Sequence, residues 1–343
     1  MKKENKMKQI NILAMGGAGA NILVGINNTL QETMILEGHP KVNLFHLDTS
    51  SANKDVSSTV GAIFHHIKSG GVENKELQGS GGVRAANVKE TVTNIKECIN
   101  ANLDTINEDS VNILVSSASG GSGSIISPLL KKQLMELNIP AIVILVGDSR
   151  SLAYAINTAD TIKTFHGIAT QKDAVISMLY VDNAEEPQAE IDTYIADFCS
   201  MFILFYNDKN LDMDPADMES FINPAKRRTK IEIPAGIYDL TADSGVDVAS
   251  RMATAIKNSP IISSRILNDI ECTAPVSLDE KRGRVYDELE KEYEKETFPI
   301  VIYSQTNGTS SVLNDLTTKI DELNLEIKQE TIETELDEFG LHL

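Results

Sequence analysis

The chain has only three cysteines in 343 residues, Cys98, Cys199 and Cys272. They are scattered, odd in number and form no Cys-x-x-Cys. That excludes a disulfide scaffold and a zinc framework, and a reducing cytosol is the expected home. Positive charge is also scarce, with 31 Lys and Arg against 50 Asp and Glu, a net charge of −19. Phosphate groups repel so acidic a body, so neither nucleic acid nor an anionic membrane is expected as a direct partner. Long apolar runs are missing too. After the basic start Met1–Lys8, the run Ile10–Met15 is interrupted by Asn11 and stops at Gly16. It is too short for a signal peptide or a membrane span. No Gly-x-x-x-x-Gly-Lys-Ser/Thr occurs, which argues against a P-loop nucleotidase. Hydrophobic residues still make up 41%, enough for packed cores, and the length fits two domains with an appendage.

β-Branched apolar runs alternate with helical patterns. The runs predict strands at Gln9–Met15, Val42–Leu47, Val111–Ser116, Ala141–Val146 and Ala174–Val181. Helices are expected at Asn21–Leu30, Ala85–Ala101 and Ser124–Leu137, and a long, mostly apolar one at Ile191–Tyr206. Alternation of this kind means crossover connections and a mostly parallel sheet, an α/β fold. Beyond it come Asp and Pro at 212–217, a basic cluster at Lys226–Lys230, and less regular strands near Ile231, Ile270–Thr273 and Phe298–Ser304. That texture predicts a smaller second domain.

Two glycine loops follow predicted strands. Gly16-Gly17-Ala18-Gly19-Ala20-Asn21 follows the first, and Ser119-Gly120-Gly121-Ser122-Gly123-Ser124 the third. Strand, glycine loop and helix present backbone N–H groups and a helix N-terminus to a phosphate, and a Cβ would block the approach. The first loop alone admits a plain tight turn. It also admits half a dinucleotide fingerprint with Asp48 as the ribose-binding acid, hence an NAD-dependent oxidoreductase. The second loop has no role in that enzyme, and two such loops in one sheet suit a polyphosphate held from both sides. A third cluster carrying Gly81, Gly82 and Arg84 lies between them.

In order along about 200 residues, these motifs resemble the tubulin/FtsZ superfamily. Ser119–Ser124 resembles its signature loop, Gly16–Asn21 its first phosphate loop and Leu47-Asp48-Thr49 its second. Gly79–Asn87 resembles the γ-phosphate-sensing loop, and Asp212-Met213-Asp214-Pro215-Ala216-Asp217 the synergy loop, with Asp212 where many members have Asn. Within the superfamily the chain is most similar to the phage-encoded tubulins, with the plasmid-segregating branch as neighbour. The features are Ser122-Gly123-Ser124-x-x-x-Pro128-Leu129, Thr161-x-Lys163-Thr164 and the acidic C-terminus. The resemblance implies a GTP-binding domain at 1–188, a central helix at 189–208, a smaller α+β domain at 209–308, and a C-terminal helix with acidic tail at 309–343. It implies GTP or GDP as ligand, with Mg²⁺ carried on the phosphates. Asn183 and Asp192 would read the base, and Asp148 would lie by the ribose. Asp214 and Asp217 would be catalytic, acting on the nucleotide of the next subunit. The implied protein is a GTPase that polymerises head to tail in the host cytoplasm and positions phage DNA or the replication compartment. DNA segregation is the alternative within the class.

The end of the chain carries Leu313, Leu316, Ile320, Leu323 and Ile327 at 3-4-3-4 spacing, about two heptads of an a/d seam. So short a seam predicts a helix lying on its own domain or on a neighbour. Beyond it, Glu330, Glu333, Glu335, Asp337 and Glu338 surround Leu336 and Phe339. By resemblance this acidic tail docks on the adjacent subunit, at Lys226-Arg227-Arg228 or at Lys281-Arg282-Gly283-Arg284. His65-His66 has no third ligand nearby and reads as an exposed pair.

Overall fold

The computed structural model describes residues 9–33, 40–68, 88–184, 187–204, 235–243, 279–286, 297–305 and 308–338. Strands β1 (Ile10–Met15), β2 (Val42–Asp48), β3 (Ile63–His66), β4 (Val111–Ser117), β5 (Ala141–Gly147), β6 (Val175–Asp182) and β7 (Gly236–Asp243) are all parallel, in the order β3-β2-β1-β4-β5-β6-β7. Strand β9 (Thr297–Gln305) adds antiparallel to β7, and β8 (Asp279–Tyr286) antiparallel to β9. Among the second-domain strands expected from sequence, Phe298–Ser304 coincides with β9. Ile231 and Ile270–Thr273 lie outside the described residues.

The helices are α1 (Gly16–Thr33), α2 (Lys54–Thr59), α3 (Val88–Ala101), α4 (Gly121–Glu136), α5 (Leu152–Gln171), α6 (Gln188–Leu204) and α7 (Gly308–Glu338). They cover both faces of the sheet, which is why β1 and β5 are buried at every position. Ile10, Ile12 and Ala14 pack with α1 and α6 on one face. Leu13 and Met15 pack with α3, α4, α5 and α7 on the other. Helices α4 and α5 end alike. Asn138 (φ 56°) and Asp173 (φ 46°) take the left-handed conformation, and Ile139 N–H and Ala174 N–H donate back to Leu134 O and Ala169 O at 2.9 Å. This closes each helix and turns the chain into the next strand.

Asn11, which breaks the apolar run of the sequence, is fully buried. It sits in register between Asn43 and Asn112. Asn43 Nδ2 donates to Asn11 Oδ1, Asn11 Nδ2 to Asn112 Oδ1, and Asn112 Nδ2 to Pro140 O, each at 2.9 Å. This amide ladder ties β2, β1 and β4 in one register. Asn11→Ala takes this donor from the buried Asn112 Oδ1 and this acceptor from the half-buried Asn43, and is expected to cost about 1–3 kcal/mol. The urea midpoint should fall with an unchanged slope; an unchanged midpoint would mean that the ladder is energetically idle.

Two elements differ from the sequence expectation. Helix α1 begins at Gly16 itself and not at Asn21, because only Gly16 (φ 73°) needs a left-handed backbone and the small residues after it are helix-compatible. The pair His65-His66 belongs to edge strand β3. His66 is exposed, but His65 is half-buried and stacks on Phe45 at 6.3 Å. Its Nε2 accepts from Asn102 Nδ2 at 3.2 Å. At the C-terminus Val312 and Leu316 are buried, with Leu313 and Ile320 packed beside them, so the first half of the seam lies on this chain's own core. Leu325 (59%) and Ile327 (48%) are exposed, and the helix continues to Glu338.

Candidate functional site

From β1 the chain moves outward to β2 and then returns to β4 on the other side. Helices α1 and α4 therefore leave neighbouring strands on opposite faces, and a crevice opens at the carboxyl ends of β1 and β4. A cavity of about 300 Å³ lies there. Its lining brings together Gly16, Gly17 and Ala18 from α1, Ser119 to Gly123 at the start of α4, Asp148 after β5, Asn183 after β6, and Asp192 on α6.

At both helix N-termini the backbone approaches its neighbours through glycine. At Gly16 a Cβ would lie 3.1 Å from Gly123 N; at Gly123 it would lie 2.8 Å from Ser117 O and 3.2 Å from Met15 O. The two glycine segments thus touch backbone to backbone. Gly120 caps α4 without a side chain of its own, and its N–H donates to Ser117 Oγ at 3.3 Å, at the end of the helix where the dipole is positive. A polar shell holds this arrangement from behind. His46 Nε2–H donates to the Gly16 carbonyl at 3.1 Å, and the Ser57 hydroxyl reaches His46 Nδ1 at 2.5 Å. Burial lowers the His46 pKa, which favours this neutral imidazole. Thr49 Oγ1 and Ser122 Oγ share a hydrogen bond of 2.6 Å, joining the segment after β2 to the start of α4.

Other expected ligands take supporting places. A Cβ on Gly19 would press on Ala14 at 3.1 Å, so this glycine serves helix–strand packing. Ala20 is buried, Asn21 is exposed, and neither lines the cavity. Asp48 is buried; it accepts from Ser50 N at 3.2 Å and from Asn53 Nδ2 at 2.9 Å, which sets Asn53 against Gly17. Ser124 is buried, with its hydroxyl on Gly121 O at 3.1 Å. Gly81, Gly82, Arg84, Asp214, Asp217 and Lys226 to Arg228 lie outside the described residues.

Arg150 lines the cavity beside Asp148, whose carboxylate accepts from the Arg150 backbone N–H (2.9 Å), Nε (3.0 Å) and Nη2 (2.5 Å). On α6, burial pushes the Asp192 carboxyl up to about 6. Tyr154 on the cavity wall, and Ile22 and Ile191 beside it, have no sequence signal as ligands: they read as ordinary helix residues. No group of three His, Cys, Asp or Glu stands ready for a metal among the described residues.

No protein-family model matches the chain. It is 31% identical over 149 residues to the phage tubulin-like protein of Pseudomonas phage 201phi2-1, covering 43% of this chain and 46% of that protein. The matched stretch is therefore less than half of the relative's length. Among solved structures, phage tubulin PhuZ with GDP superposes with a TM-score of 0.65 at 20% identity, covering 94% of this chain and 93% of that one. The PhuZ201 filament gives 0.63 at 19% identity, covering 94% and 92%. The chain has the tubulin/FtsZ-like fold, and its sequence relationship within that fold is to phage tubulin-like proteins.

Proposed function

We propose that this chain is a phage tubulin-like GTPase that polymerises head to tail. The observation that carries the reading is the single crevice in which two glycine-lined helix N-termini, those of α1 and α4, meet at the switch point of a parallel sheet. One such terminus suits a mononucleotide or a dinucleotide fingerprint; two converging termini suit a chain of phosphates. Phosphates would be held by the backbone at Gly16–Ala18 and Ser119–Gly123, with Asp148 and Arg150 near the sugar. A carboxylate at Asp192 would accept the paired N1–H and 2-amino donors that guanine has and adenine lacks, and Asn183 lines the same cavity. Mg²⁺ would ride on the phosphate oxygens and water. Titration calorimetry with GDP, ADP and NAD tests the reading: GDP should bind far more tightly than ADP or NAD, and a preference for NAD would install the oxidoreductase instead.

Asp192 carries a pH signature. Its folded carboxyl titrates near 6, above the ordinary 3.8, so between those values the folded protein binds more protons than the unfolded chain. Stability of the unliganded protein therefore falls as pH rises through that window. Guanine, in contrast, needs the ionised form. GDP affinity should fall as pH drops below about 6. Asp192→Asn should flatten that dependence, weaken GDP about tenfold, and raise the melting temperature of the unliganded protein at pH 7.5. A variant with wild-type affinity at both pH values would remove Asp192 from the base site.

For self-assembly, the reading takes the second domain at 209–308 to present Asp214 and Asp217 to the nucleotide of the next subunit. The acidic end of the chain would latch onto that subunit. Single exposed ion pairs contribute about 0–1 kcal/mol, but five acids on one segment act as a network. Truncation after Gln329 should raise the critical concentration several-fold, while folding and GDP affinity stay normal. The difference should shrink at high salt, where the screening length falls to about 3 Å at 1 M. Equal pelleting of truncated and full-length protein at low and high salt would leave the tail without a role in assembly.

A further inference from the structure

Asn183 is gripped from both sides. Its own N–H donates to the Gly147 carbonyl at 3.0 Å, and the next N–H, of Ala184, donates to Asp182 Oδ1 at 2.8 Å. The second bond is a turn closed by a side chain, so its geometry depends on where the Asp182 carboxylate stands. That carboxylate is fixed in turn. The Tyr180 hydroxyl donates to Asp182 Oδ2 at 3.0 Å. Tyr180 is wholly buried, and burial together with nearby Asp182 and Asp148 pushes its pKa well up, so the phenol keeps the proton it donates.

Reaching Asp182 takes the phenol across the neighbouring strand at Gly147, which is in register with Asp182. A methyl group at Gly147 would lie 2.0 Å from the Tyr180 hydroxyl, so any side chain there displaces the ring. Gly147 also forms part of the cavity wall. Gly147, Tyr180 and Asp182 thus form one buried unit that ends at the Asn183 backbone. Nothing in their burial needs the hydroxyl: a phenylalanine would fill the same core volume and leave Asp182 Oδ2 without this donor.

We propose that Tyr180 and Asp182 are positioning residues for base recognition, acting through Asn183 and made possible by the missing side chain at Gly147. They touch no ligand themselves. The glycine segments of α1 and α4 have further bonds of their own through His46, Thr49 and Ser122, so loss of the Tyr180–Asp182 bond should act chiefly on Asn183. This inference rests on the guanine-nucleotide reading above.

The test is equilibrium binding of GDP and of ADP to the full chain and to Tyr180→Phe and Asp182→Asn, with melting temperatures recorded for each. Tyr194→Phe is the control: it removes a buried hydroxyl that has no hydrogen-bond partner among the described residues. Tyr180→Phe should lower the ratio of GDP to ADP affinity about tenfold, chiefly by weakening GDP. Asp182→Asn should move the ratio in the same direction, and Tyr194→Phe should leave it unchanged. General loss of stability weakens both nucleotides alike and does not move the ratio. A wild-type ratio in both Tyr180→Phe and Asp182→Asn overturns the proposal. Wild-type protein that binds no guanine nucleotide rejects the underlying reading as well, and is distinguished by the wild-type arm alone.

Discussion

Gly123→Ala is expected to abolish measurable GDP binding, with at least a hundredfold loss of affinity. The added methyl would stand 2.8 Å from the Ser117 carbonyl and 3.2 Å from Met15 O and Ser117 N. These are backbone atoms at the ends of β1 and β4, and backbone in a buried sheet does not yield as a flexible side chain does. Relief comes from moving the start of α4 outward, which costs about 1–3 kcal/mol of stability. The same movement breaks the approach of Gly16 to Gly123 N and the Thr49–Ser122 bond, so the two anion-binding termini no longer face one another. Gly61 provides the contrast: nothing lies within 4 Å of a Cβ there, although its φ of 70° adds local strain. Gly61→Ala should therefore lose some stability and keep its affinity. Calorimetry on both variants checks the expectation, and near-wild-type affinity in Gly123→Ala would mean that the crevice is not the phosphate site.

Asp217→Ala, and separately Asp214→Ala, is expected to lower GTP turnover in the assembled state by at least about 100-fold while leaving nucleotide affinity and assembly intact. In the proposed reaction, water attacks the γ-phosphorus. A P–O bond forms to the water oxygen, the bond to the β-phosphate oxygen breaks, and the water's proton passes to a carboxylate. The attacking water sits on the far side of the phosphate from the leaving group. Among the described residues, the two glycine segments offer backbone N–H groups and hydroxyls, and the lining carboxylates Asp148 and Asp192 stand, in the proposed reading, at the sugar and the base, so the proton acceptor is proposed to be Asp214 or Asp217. Asp214 and Asp217, three apart, share one face if their segment opens a helix. If they belong to the neighbour, the variants should build filaments that do not release phosphate and therefore persist. Phosphate release at the wild-type rate from sedimented filaments of both variants would reject the assignment.

The crevice was legible because close backbone approach makes a demand that few residues meet. At Gly16 and Gly123 a Cβ would meet backbone of the other segment or of the adjoining strands, and both positions stand out in the sequence as glycine clusters after strands. Parallel strands likewise announced themselves: burial on both faces leaves unbroken apolar runs such as Ala141–Val146. The partners of those runs were harder to see. Asn11 looked like an interruption, since its ladder needs Asn43 and Asn112 brought into register from 32 and 101 residues away. Strand β3 carries two histidines in four residues and lies at the sheet edge, where one-sided burial weakens any pattern. Asp48, at the end of β2, stands outside the cavity lining with its carboxylate closing a turn. Asp148, just after β5, and Asp182, at the end of β6, close turns too, and Asp148 also lines the cavity, so a turn acid and a ligand acid look alike in sequence.

The most direct test of the account is light scattering at 90° from the purified protein with Mg²⁺, on addition of GTP, GDP, ATP or NAD in turn, followed by sedimentation. Scattering should rise with GTP above a critical concentration, decline as the GTP is consumed, and stay flat with ATP and NAD. Protein that remains in the supernatant at every concentration with saturating GTP would contradict it.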